Sequence, residues 1–104
     1  MASIPSIENA TIIDTVVASE WRALKYAISM SKTSGGANKF SFTELNILID
    51  SSGVSVSEHG SIDNNGEVGT VSVSQNGGNV EIIVTPNLLV KPITVRYYRT
   101  GLKA

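Results

Sequence analysis

Residues 69–85 read Gly69-Thr70-Val71-Ser72-Val73-Ser74-Gln75-Asn76-Gly77-Gly78-Asn79-Val80-Glu81-Ile82-Ile83-Val84-Thr85, and this stretch decides the fold class. Val71 and Val73 alternate with Ser72 and Ser74, then Val80, Ile82 and Val84 alternate with Glu81, Ile83 and Thr85, which is the two-residue period of strands with one buried face. Between them, Asn76-Gly77 tolerates the positive φ of a type I′ turn, whose twist matches antiparallel strands. The segment therefore predicts a β-hairpin. With Asn76 and Gly77 as the loop, Val73 faces Val80 and Val71 faces Ile82. A longer loop from Asn76 to Asn79 slides the register by two and keeps the same side chains inward, so the buried face is firmer than the register.

The same period extends in both directions. Leu24, Tyr26, Ile28 and Met30 alternate with Lys25, Ala27 and Ser29, predicting a long strand over Arg22–Lys32, and Ser34-Gly35-Gly36-Ala37-Asn38 reads as a flexible connection. In the next strand, Lys39–Asp50, Phe40 and Phe42 share one parity while Leu45, Ile47 and Ile49 share the other. That switch near Thr43-Glu44 calls for either a β-bulge or two aromatic rings on the outer face, where they would form an interface. Asp50-Ser51-Ser52-Gly53 turns the chain into a second hairpin that sets Ile49 opposite Val54 and Ile47 opposite Val56. Ser57-Glu58-His59-Gly60 is expected to end that strand, Ile62 to return inward, and Asp63-Asn64-Asn65-Gly66 to form a turn. Pro86-Asn87 interrupts the pattern, Leu88-Leu89-Val90 makes a compact loop, and Lys91-Pro92 launches a last strand with Ile93, Val95 and Tyr97 opposed to Thr94, Arg96 and Tyr98.

At the other end, residues 1–9, with Pro5, read as a mobile or partner-dependent arm, with Ile4 and Ile7 available for docking. The β-branched run Thr11-Ile12-Ile13-Asp14-Thr15-Val16-Val17 favours a strand or loop over a competing helix from Thr15 to Arg22. About seven strands with turn signals every eight to twelve residues predict an all-β protein, a hairpin-rich antiparallel β-sandwich or, failing that, a small barrel. Residues 10–104 are assigned to that single domain, since 104 residues suit one core.

Composition excludes several functions. Eight basic and nine acidic residues nearly cancel, so no whole-molecule field steers the chain to nucleic acid or an anionic membrane. Lys91, Arg96, Arg99 and Lys103 make the last strand basic, but Arg96 and Arg99 fall on opposite faces of a strand and build no phosphate-binding stripe. With no Cys, disulfides, thiolate chemistry and Cys-ligated zinc are ruled out. The N-terminus lacks a basic-then-apolar leader and no apolar run reaches a membrane span, so the expectation is a soluble, unprocessed chain.

No reactive constellation stands out, and no catalytic, cofactor or metal site is expected. His59 is the single histidine, and its neighbour Glu58 should point to the opposite face of the strand, spoiling an acid/base pair and leaving Glu58 to an arginine nearby. Asp63-Asn64-Asn65-Gly66-Glu67 places its glycine too early for a calcium loop and lacks the later bidentate Glu. Gly35-Gly36 and Gly77-Gly78 carry neither the lysine nor the following helix of a phosphate cradle. The residues left as interface or ligand candidates are aromatic. Phe40 and Phe42 suit self-association, while Trp21, Tyr97 and Tyr98 could stack on a sugar ring or pack in the core.

Several segments, in their order and spacing, resemble a known module. They are Arg22-Ala23-Leu24-Lys25-Tyr26-Ala27-Ile28-Ser29, Phe42-Thr43-Glu44-Leu45-Asn46-Ile47-Leu48-Ile49-Asp50, Ser57-Glu58-His59-Gly60, Gly77-Gly78-Asn79-Val80-Glu81-Ile82-Ile83-Val84-Thr85-Pro86 and Ile93-Thr94-Val95-Arg96-Tyr97-Tyr98-Arg99-Thr100-Gly101. Together, over Arg22 to Gly101, they resemble a β-rich structural module of virion proteins from tailed marine, cyanophage-like phages, where it often ends a longer protein. The family usually has an aromatic where His59 stands and a longer turn where Ser51-Ser52-Gly53 stands. The resemblance implies a non-enzymatic virion part (tail fibre, baseplate or capsid decoration) made in the host cytoplasm and assembling with itself and other virion proteins. It carries no site residues. The alternative is a carbohydrate- or receptor-binding module that reads a host surface glycan.

Overall fold

The computed structural model describes residues 2–32, 39–64 and 67–104, and of residues 59–62 and 64 the backbone alone. These residues form eight strands: β1 (Ala2–Ile7), β2 (Thr11–Val17), β3 (Trp21–Lys32), β4 (Lys39–Asp50), β5 (Gly53–Asn64), β6 (Gly69–Asn76), β7 (Asn79–Pro86) and β8 (Ile93–Lys103). A single 3₁₀ turn, Ala18–Glu20, joins β2 to β3. The strands pair antiparallel in a five-stranded sheet, β1-β8-β3-β4-β5, and a three-stranded sheet, β2-β7-β6. Both sheets keep open edges, so the architecture is a sandwich and not a barrel. The molecule is elongated along the strands, 47 × 23 × 21 Å.

One apolar core lies between the sheets. Leu24, Tyr26, Ile28 and Met30 of β3, Leu45, Ile47 and Ile49 of β4, and Ile93 and Val95 of β8 meet Val80, Ile82 and Val84 of β7, all buried. From the opposite sheet, Ile13 and Val16 of β2 are buried as well, and Val71 and Val73 of β6 pack against the cluster half-buried. At roughly 25 cal/mol per Å² of apolar surface removed from water, this burial is the main force holding the layers together.

The hairpin of β6 and β7 forms with the expected face inward and with the register of the longer-loop alternative. Val73 sits opposite Ile82 and Val71 opposite Val84, while Asn76 and Asn79 close the pair around Gly77-Gly78. The left-handed φ, 61°, falls on Gly77, the first loop residue, as a type II′ turn requires. Two consecutive glycines thus outcompete Asn76-Gly77 as the turn. The second hairpin keeps its expected register, with Ile49 opposite Val54 and Ile47 opposite Val56.

Two expectations need correction, and the choice between two alternatives on β4 is decided. Residues 2–7, read as an arm, are the edge strand β1 on β8, with Ile4 opposite Val95 and Ile7 opposite Ile93. Ser6, at a φ of 59°, sits where the register shifts, and Ile7 beyond it is buried in the core. The parity of β4 does not switch: Ser41, Thr43, Leu45, Ile47 and Ile49 all face inward, and Phe40 and Phe42 face out. Ser41 and Thr43 tolerate burial because each is hydrogen-bonded, Ser41 Oγ accepting the Val68 N–H at 3.0 Å and Thr43 Oγ1 donating to Glu58 Oε2 at 2.8 Å. The bulge belongs to β5, which fits an extra residue between His59 and Ile62 against Phe42 and Glu44, and which runs on to Asn64 instead of ending at Gly60. The connection at 34–38, the turn at 65–66 and the side chains of His59 and Ile62 lie outside the described residues.

Candidate interaction site

Two features of the sandwich bear chemistry. The first is a polar clasp between the layers. Strand β2 carries an extra residue at Ile13, so that Ile12 pairs with Ile83 and Asp14 with Ile82. The bulge turns Asp14, next to the buried Ile13, toward the opposite sheet, where its Oδ2 accepts hydrogen bonds from the Tyr26 hydroxyl at 2.7 Å and from Arg99 Nη1 at 2.9 Å. Tyr26 and Arg99 are cross-strand partners on β3 and β8, so one carboxylate ties two strands of one sheet to the edge of the other. Burial, reinforced by the hydrogen bond to Asp14, pushes the Tyr26 phenol well above the ordinary tyrosine range. The Tyr97 ring tilts against Tyr26 with centroids 6.1 Å apart, and its hydroxyl too is pushed up, by burial and then by the Asp14 charge.

Arg99 continues this line to Trp21. Its guanidinium lies 5.2 Å from the indole centroid and Lys103 Nζ lies 4.3 Å from it on the same strand. The indole crosses β8 at Gly101, where any Cβ would overlap the ring, so glycine is required there for Trp21 to lie flat. A recess of about 220 Å³ opens beside the clasp, lined by Ala2, Asp14, Tyr97, Tyr98 and Arg99.

The second feature is the outer face of the five-stranded sheet. Strand pairing aligns its side chains in cross-strand rows: Leu102, Ala23, Leu48 and Ser55; then Thr100, Lys25, Asn46 and Ser57; then Tyr98, Ala27 and Glu44; then Arg96, Ser29 and Phe42; then Thr94, Ser31 and Phe40. Among the described residues, five exposed large apolar side chains, Phe40, Phe42, Leu48, Tyr98 and Leu102, lie on this one face. At its Leu48–Leu102 end the surface hollows into a largely apolar groove of about 500 Å³. Lys25 and Glu44 approach to 3.9 Å on the middle rows and are both solvent-accessible.

Of the aromatic candidates, Phe40 and Phe42 therefore share the outer face, the second of the two alternatives. Trp21, Tyr97 and Tyr98 do not form a common platform, because Tyr98 points outward opposite Ala27 while Tyr97 and Trp21 lie on the inner side with Arg99. Glu58 takes Thr43, not an arginine, as its hydrogen-bond partner. Asp14 was missed in the sequence, where a lone acid inside a β-branched run was the available signal. Among the described residues no group of three or more His, Asp and Glu side chains is placed to hold a metal, and no helix is long and apolar enough to cross a membrane.

The fold, an eight-stranded antiparallel sandwich with a clasped interior and an outer face on which Phe40, Phe42, Leu48, Tyr98 and Leu102 stand among polar side chains, defines the class of protein. No protein-family model and no curated protein matches the sequence. Among solved structures, the chain is similar to the tailspike protein of Acinetobacter phage vB_ApiP_P1, with a TM-score of 0.55 and 12% identity over 96% of this chain and 19% of that one. A more distant similarity, TM-score 0.41 and 11% identity, covers 99% of this chain and 26% of the tailspike protein of Acinetobacter baumannii phage AM24. The chain thus spans about a fifth of the length of the first tailspike and about a quarter of the second, and its likeness to the first is one of fold.

Proposed function

We propose that this chain is a non-enzymatic structural module of a tailed-phage tail protein, located in the virion and assembling through sheet surfaces with copies of itself and with other virion proteins. The observation that carries the reading is that nearly the whole chain, 96%, follows the fold of a portion of a phage tailspike. The clasped interior suits a rigid building block, since its polar atoms are spent on one another, and the broad outer face suits assembly. Antibodies raised against the purified chain should label the tail end of intact virions from the source phage. Labelling confined to free protein, with none on particles, overturns the assignment.

A second reading, recognition of a host surface glycan, is favoured by the recess beside Asp14, Tyr97 and Arg99, where carboxylate, phenol and guanidinium groups border one hollow. Glycan-array binding abolished by Arg99→Ala in a folded variant would select it. Absence of binding on a broad array leaves the structural role alone.

A further inference from the structure

We infer that the outer face of the five-stranded sheet is the docking surface for a second copy of this chain, stacked on it across a two-fold axis running perpendicular to the strands. The inference deepens the assembly role proposed above and rests on it. Three properties of the face select this occupant and orientation.

The first is size. Strands about 4.8 Å apart and about 3.3 Å per residue give five strands of some ten residues an area of about 800 Å². That is the contribution of each partner to an interface of ordinary size, so burying the face on a copy of itself meets the requirement of a stable dimer.

The second is shape. The face is not uniform along the strands: at one end the Phe40 and Phe42 rings stand out, and at the other lies the groove walled by Ala23, Leu48 and Leu102. A two-fold axis along the strands would set rings on rings and groove on groove, leaving the groove empty. An axis across the strands, placed between the Lys25–Asn46 row and the Ala27–Glu44 row, exchanges the row of Phe42 with the row of Leu48. Each Phe42 then enters the partner's groove, and the contact occurs twice, as isologous symmetry demands.

The third is charge. The same axis lays Lys25 of one copy over the row that carries Glu44 in the other, so the two middle rows bring opposite charges together instead of like ones. The pair within each chain is long, 3.9 Å, and open to solvent, which leaves both groups able to engage a partner.

The test is the molar mass of the purified chain by light scattering behind a sizing column, for the natural sequence and for variants on the two ends of the face. The natural chain should run at twice its 11.0 kDa. Phe42→Lys alone and Leu48→Asp alone should each weaken the dimer on the order of thirtyfold or more, as loss of a central contact does, with unchanged circular dichroism. An equimolar mixture of the two should regain the dimer mass, because a mixed pair keeps one Phe42 in one groove and sets the new lysine against the new aspartate. Should Phe42→Lys fail to fold, Phe42→Arg takes its place; Leu102→Asp, on the other wall of the groove, gives a second groove variant. A dimer that survives these substitutions, or a mixture that stays monomeric, overturns the docking geometry while leaving self-assembly intact. A natural chain that is monomeric at high concentration, or trimeric, overturns the two-fold pairing itself. Neither result bears on whether the chain labels virions, so the two proposals fail separately.

Discussion

On β4 the side chains of Ser41, Thr43, Leu45, Ile47 and Ile49 are buried, while Phe40, Phe42 and Leu48 stand exposed on the other side of the same strand. Two apolar sets thus share one backbone, and their surroundings differ. The inner set meets β7 across the sandwich and is removed from water whenever the chain is folded. Among the described residues, no second sheet lies over the outer set. Apolar character alone does not say which side of a strand is the core; the number of consecutive inward positions that find a partner layer does.

Substitution of one residue type on each face should separate the two roles most sharply. Ile82→Asp, at a position with no exposure, places an unpaired carboxylate in the core at a cost of several kcal/mol against a total stability of about 5–15 kcal/mol, and should abolish cooperative thermal unfolding. Leu48→Asp, at 53% exposure, should stay within ~0.5 kcal/mol in dilute solution. A soluble, cooperatively folded Ile82→Asp protein would mean that the faces are assigned the wrong way round.

Charge offers the next comparison. Asp14→Ala strips the buried Tyr26 hydroxyl and the Arg99 guanidinium of their shared acceptor and should cost about 1–3 kcal/mol in denaturant unfolding. Glu44→Ala removes the long, exposed pair with Lys25 on the outer face and should cost less than about 1 kcal/mol. Equal losses would show that the clasp contributes no more than a surface ion pair.

Smaller still is the contrast within the β6–β7 turn. Gly77→Val forces a β-branched residue to a φ of 61° and should lower stability by about 1–2 kcal/mol, whereas Gly78→Ala meets open space and should change the melting temperature little. An unchanged Gly77→Val protein would remove the type II′ turn from the account.

The last effect is silent at neutral pH. Tyr26 holds its proton more tightly folded than unfolded, so its contribution is complete below the ordinary tyrosine pKa of about 10 and is lost as pH rises beyond it. Melting temperature should therefore fall more steeply above about pH 10 in the natural chain than in Tyr26→Phe. Parallel profiles would place the titration elsewhere.

Most of the fold was legible because it rests on local alternation: Leu24 to Met30 and Val80 to Val84 announce their strands and their inward faces without reference to the rest of the chain. What alternation could not fix was which pair among Asn76, Gly77 and Gly78 makes the turn, since neighbouring choices leave the same face inside. Strand β1 was hidden because its tie to β8 lies mostly in backbone pairing, with Ile4 and Ile7 the few apolar clues in a Ser- and Pro-containing segment. The clasp was hidden for another reason: Tyr26 and Arg99 stand 12 and 85 residues from Asp14, and only the bulge at Ile13 aims the carboxylate at them. Of the aromatic candidates, Phe40 and Phe42 were readable as outward because the parity of their strand sets them against Leu45, Ile47 and Ile49. Separating Trp21 and Tyr97 from Tyr98 required the pairing of β3 with β8.

Trp21 is the single tryptophan of the chain, and it rests on Gly101 with Arg99 and Lys103 against its ring. Its fluorescence is consequently a reporter placed by nature at one end of the clasp. Loosening of β8 from β3 at that end withdraws the two cations and admits solvent to the indole, shifting emission to longer wavelength even while the hairpin of β6 and β7 keeps its backbone signal. Emission and circular dichroism followed together on one sample thus distinguish unzipping that starts at the tryptophan end from collapse of the sandwich as a whole, with no dye attached.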